Sequence, residues 1–120
     1  MVLRWQRFKR LTDARSMFKK KACIYVQTDR SGAPIRVGKA SKGLDARYRG
    51  GTGYALDAAM HGSRNSVYVT EVPITQCDLI ERFLIWKLRS VLKYNNQGLK
   101  RAPTASVRLL HRGTPPRLPE

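Results

Sequence analysis

Short apolar runs and one long apolar stripe divide this chain into elements. Residues 22–28 (ACIYVQT) are rich in β-branched and aromatic side chains and predict a strand, and the Asp and Gly of Asp29-Arg30-Ser31-Gly32 favour a tight turn after it. A second short run over 34–38 (PIRVG) completes a β-hairpin. Ser41 caps an expected short helix over 42–49, which Gly50, Gly51 and Gly53 break before another helical stretch over 54–61. Residues 66–72 (SVYVTEV) predict a third strand, stopped by Pro73.

A long helix is expected next. Thr75-Gln76-Cys77-Asp78 matches the pattern in which a hydroxyl and an acid satisfy free backbone donors at a helix start, which predicts a helix over about 76–93. Ile80, Phe83, Leu84, Leu88, Val91 and Leu92 recur along it at helical spacing as a buried stripe. Glu81 lies about 100° of rotation from Ile80, at the edge of that stripe. It is therefore either a half-buried site carboxylate or a surface partner of Arg82, Arg89 or Lys42.

The two ends read differently from the middle. Trp5, Phe8, Leu11, Met17 and Phe18 stand at roughly helical spacing among Arg and Lys, which predicts an amphipathic helix, whole or broken near Thr12. Pro103, Pro115, Pro116 and Pro119 prevent a long helix at the other end, so the last residues are expected to be an extended tail that orders on nucleic acid. There is no internal repeat of useful length.

Charge narrows the function. The 120 residues hold 24 Lys and Arg against 8 Asp and Glu, a formal net charge of +16, with 8 bases and 1 acid in residues 1–21 alone. Such an excess repels itself in a compact fold, and a polyanionic partner offsets it. An apolar fraction of 42% still permits a packed core, and the length suits one domain. No uncharged apolar stretch reaches the roughly 18 residues of a membrane span, and 1–10 has no apolar signal core, so a cytoplasmic protein with no membrane partner is expected. Cys23 and Cys77 lie far apart without a Cys/His cluster, and read as buried thiols rather than a zinc site or a disulfide framework.

One set of residues in the middle segment has a familiar order. Cys23-Ile24-Tyr25 and Arg36-Val37-Gly38, with ten residues between Tyr25 and Arg36, resemble the paired strand motifs of the GIY-YIG nuclease family. Lys39-Ala40-Ser41 follows as small and basic residues do there. Leu44-Asp45-Ala46-Arg47 is similar to the helix that presents the family's catalytic arginine, and Glu81 within 79–85 (LIERFLI) to its metal-binding glutamate. Asn95, or its neighbour Asn96, resembles the late asparagine. The likeness spans about 22–100 and implies an α+β domain, a small three-stranded antiparallel sheet flanked by helices, with basic extensions over 1–21 and 101–120.

The resemblance implies a metal-dependent DNA endonuclease. Phosphodiester hydrolysis needs an activated water, charge on the phosphate oxygens and help for the departing 3′ oxygen. Glu81 is the expected ligand of Mg²⁺ (or Mn²⁺), Arg47 the guanidinium on the scissile phosphate, and Tyr25 the group that orients or activates water, aided by Arg36 or Lys39. Asn95 would brace the site. Arg36 stands where the family's second tyrosine belongs, and Gly51 where a Tyr or His is usual; His61 ranks ahead of Tyr48 and Tyr54 as the substitute. Arg7, Lys9, Lys19, Lys20, Lys21, Lys42 and Arg49 are the expected nucleic-acid contacts, DNA in preference to RNA. One site per chain leaves a homodimer or two successive nicks as routes to cutting both strands.

Each residue also has a plain use. Tyr25 suits a strand core, Arg47 and Lys39 suit a solvated surface, Asn95 suits a helix end, and His61 before Gly62 suits a loop. A nucleic-acid-binding module of the same fold without catalysis is the alternative function, and a basic RNA-associated structural protein a third. They differ over Glu81, which only a nuclease needs.

Overall fold

The computed structural model describes residues 1–44, 66–92, 103 and 107–118. The chain is α+β. Strands β1 (Val2–Phe8), β2 (Cys23–Thr28), β3 (Pro34–Ala40), β4 (Ser66–Glu71) and β5 (Leu110–Gly113) form one mixed sheet in the order β3-β2-β4-β1-β5. Helix α1 (Leu11–Met17) follows β1, and helix α2 (Cys77–Leu88) follows β4 through a 3-10 turn at Ile74–Gln76. Neighbouring strands are antiparallel except β1 and β5, which run parallel.

The expected hairpin is present. β2 and β3 pair with Tyr25 opposite Gly38 and Gln27 opposite Arg36. In the turn, Asp29 Oδ1 accepts from Ser31 N at 2.9 Å, Ser31 Oγ at 2.6 Å and Ala33 N at 3.0 Å, the local bonding for which Asp is favoured there. The third expected strand is β4, which pairs along the other side of β2.

The sheet is larger than three antiparallel strands. Both charged ends contribute to it. In β1 the period is two rather than three to four: Leu3 and Trp5 are buried, while Val2, Arg4 and Gln6 between them are exposed. The spacing of Trp5, Phe8 and Leu11 suits a helix equally well, and only pairing with β4 decides between them; the helix is confined to Leu11–Met17. At the other end β5 stops before Pro115 and Pro116, so the prolines that forbid a helix leave a strand possible. Leu110 N donates to Met1 O at 2.9 Å and Thr114 N to Trp5 O at 3.0 Å, which ties this segment of the tail to β1.

Alternation along the strands makes two cores. Ile24, Val26 and Val37 share one face with Leu3, Trp5 and the α2 residues Cys77, Ile80, Leu84 and Leu88. Cys23, Tyr25, Ala40, Val67 and Val69 share the other with Ala14, Phe18 and Leu44. Helix α2 is shorter than the stripe implied. It starts at Cys77 with Gln76 as its N-cap and no side-chain cap, because Thr75 lies inside the preceding 3-10 turn. It ends at Leu88, after which Val91 N and Leu92 N both turn back to Leu88 O, leaving Val91 49% exposed while Leu92 packs on the core.

Candidate functional site

Asp78, expected to cap its own helix, instead reaches the sheet. Lys39 lies on edge strand β3 opposite Ile24, and so points to the face that α2 covers. Its Nζ donates to Asp78 Oδ1 at 2.8 Å, and Arg82, one turn further along α2, places a guanidinium nitrogen 3.8 Å from Asp78 Oδ2. The hydrogen bond to Asp78 holds Lys39 above the usual ammonium range, and the same bond holds Asp78 below the usual carboxylate range. The carboxylate of Glu81 also favours the Lys39 cation, so these two predicted residues lie within electrostatic range of one another. Glu81 itself is half-buried.

Tyr25 and Arg36 occupy the opposite face. Tyr25 is 1% exposed in the core that α1 covers, and its ring lies directly across Gly38. A Cβ at position 38 would fall on Cζ and Oη of that ring and 2.7 Å from Cε2. This contact explains why a glycine ends the second motif. Arg36, half-buried, flanks the same face opposite Gln27. Arg47, His61, Asn95 and Arg49 lie outside the described residues.

The basic segment before β2 meets the one after β3. Leu44 N donates to Phe18 O at 2.9 Å, and Gly43, at φ +97°, packs against the backbone of Lys19 and Lys20. A Cβ there would strike the Lys19 carbonyl, and a positive φ disfavours other residues. The result gathers the exposed Lys19, Lys20 and Lys42 at one place. Lys21 is drawn aside, 4.0 Å from Glu71 Oε1. Arg7 donates through Nε to Ser66 Oγ at 3.1 Å, and Lys9 is exposed just beyond β1.

Burial keeps both thiols protonated. Desolvation, with Cys77 and Glu71 adding to it, pushes Cys23 up to about 12, and desolvation likewise raises Cys77. Neither is a thiolate at neutral pH. Among the described residues no group of three or more His, Cys, Asp or Glu is placed to hold a metal ion. With Asp78 engaged by Lys39 and Arg82, Glu81 is the second carboxylate of this part of α2 and the donor to consider for a metal ion. That donor set fits Mg²⁺, which is commonly held by one or two carboxylates with waters and substrate phosphates completing the shell.

Sequence reasoning missed Asp78 as the partner of Lys39. Its signal was visible in the Thr75-to-Asp78 motif, but 39 residues separate the pair and nothing local sets the packing of α2 on β3. No helix among the described residues is long and apolar enough to cross a membrane. Comparison with family models, curated proteins and solved structures finds no match for this chain.

Proposed function

We propose that the protein is a Mg²⁺-dependent endonuclease that hydrolyses phosphodiester bonds of DNA, with Glu81 holding the ion. The observation that carries this reading is the Lys39 cation fixed on Asp78 beside Glu81, in a chain of net charge +16. Bound there, the ion would stabilise charge on the phosphate oxygens and favour an attacking hydroxide. Lys39 supplies a second positive charge to the same phosphate, and Arg47 a third by the family resemblance. Water adds to phosphorus and the bond to the 3′ oxygen breaks, that oxygen leaving with a proton. The burial of Tyr25 supports a positioning role, in which its ring props Gly38 and so sets the backbone that presents Lys39.

A second reading is a binding module of the same fold without catalysis. Two observations favour it: Arg36 replaces the second tyrosine, and the Tyr25 phenol is turned into a core. Nicking of supercoiled plasmid, with Mg²⁺ or EDTA and beside Glu81→Gln, separates the two. The nuclease gives metal-dependent nicks that vanish in the variant. A protein that shifts DNA in gels, never cuts it, and behaves like Glu81→Gln is the binding module.

A further inference from the structure

Trp86 is a large hydrophobic side chain of α2 that joins neither core among the described residues. It lies two residues, about 200° of rotation, from the buried Leu84, and so faces away from the sheet, where it is half-buried. The Arg89 guanidinium stacks on it, 3.9 Å from the ring centroid, and its NH1 donates to Trp86 O at 2.6 Å. Beside this pair the Lys87 ammonium sits 5.5 Å over the Phe83 ring. No acid occurs between Arg82 and Arg89. Arg82 and Arg89, seven residues apart, therefore line one side of α2 and Lys87 another, with Arg89 and Lys87 each seated on an aromatic ring.

A half-buried indole that joins neither core among the described residues, capped by an exposed arginine, marks a contact surface, and the charge of that surface selects the partner. A second copy of a chain carrying +16 would be repelled, whereas a polyanion is attracted. Tethering at NH1 leaves the other donors of a planar fork, whose geometry matches a phosphate, and the stack removes side-chain entropy that a free arginine loses on binding. We infer that the outer face of α2 docks the phosphate backbone of duplex DNA, with Arg89 as a phosphate ligand and Trp86 as the platform that fixes it. This rests on the DNA partner of the proposed function and not on its cleavage step.

Binding of a short labelled duplex in EDTA, over a range of salt, tests it. Arg89→Ala should weaken binding and lower the slope of log K against log salt by about 0.9, the loss of one phosphate contact. Trp86→Ala should do the same with Arg89 still present, and Trp86→Phe should restore most of the affinity. Wild-type protein gives a second readout: Trp86 emission should change on binding, while Trp86→Phe, left with the buried Trp5, should show no change. Unchanged affinity and slope in both alanine variants, with emission indifferent to DNA, overturns the inference and leaves the DNA partner standing. Tighter binding to the single strand than to the duplex, abolished by Trp86→Ala, overturns the assignment to a duplex. Failure of the wild type to bind any DNA sinks this and the proposed function together; failure to cut touches only the latter.

Discussion

Trp5 Nε1 donates to His111 Nδ1 at 2.9 Å, joining residues 106 apart in the chain. Trp5 is 2% exposed in the core beneath α2, and His111 comes from β5, beside Leu3. The bond requires an unprotonated Nδ1, and partial burial holds His111 below its usual range. Above the unfolded value of about 6.5 both states are neutral and stability is full; as pH falls below it the unfolded chain protonates first, so stability declines until the lower folded value is passed. Thermal melts across that window should show the decline, and His111→Ala should flatten it. The variant should also cost about 1–3 kcal/mol at neutral pH, because a buried indole N–H loses its acceptor. A melt insensitive to this histidine would mean that the Trp5–His111 bond contributes nothing to stability.

Gly38→Ala places a methyl group into the Tyr25 ring. Both residues are buried on paired strands, so neither backbone has room to retreat. The expected loss is about 1–3 kcal/mol, as for other overpacked cores. Tyr25→Leu should be partly compensatory, and a double-mutant cycle in urea should return a coupling of about 1 kcal/mol or more.

The thiols give a prediction with no functional assumption. Cys23 at about 12 and a raised Cys77 should both resist a thiol reagent at pH 8 in the folded protein and react at once in denaturant. Rapid labelling of either in native buffer would contradict its burial.

The middle of the chain was more legible than its ends. The hairpin declares itself by local chemistry, a β-rich run, an Asp-led turn and a second run, and the register that lays Tyr25 on Gly38 follows from the turn. Strand β1 does not. VLRWQRF satisfies a period of two and, with Leu11, a helical one, and the choice between them is made by β4, some sixty residues away. β5 has four residues and exists because an edge is free to receive it, which no local pattern states. The same limit applies to the site. Glu81 and Lys39 were each singled out as candidates, but that they share one face while Tyr25 and Arg36 lie on the other is a matter of strand parity and of where α2 packs.

Asp78 provides the sharpest test of the proposed site, because it touches Lys39 without being the expected metal ligand. Both side chains are partly exposed, so the pair contributes little to folding, about 0–1 kcal/mol, and Asp78→Asn should melt close to wild type. Its effect should fall on function. Asparagine leaves Lys39 a neutral amide oxygen in place of a charged acceptor, which weakens its tether and removes the carboxylate that raises its pKa, and Arg82 loses an ionic partner. If Lys39 must sit still to meet a phosphate oxygen, plasmid nicking should slow by about 10- to 100-fold, the scale of a misplaced group. Duplex binding should hold or tighten, since a negative charge has been removed. That opposite movement of cleavage and affinity distinguishes a positioned cation from a surface ion pair. A variant that nicks at the wild-type rate would take the Lys39–Asp78 ion pair out of the chemistry and leave Glu81 as the group on which the site depends.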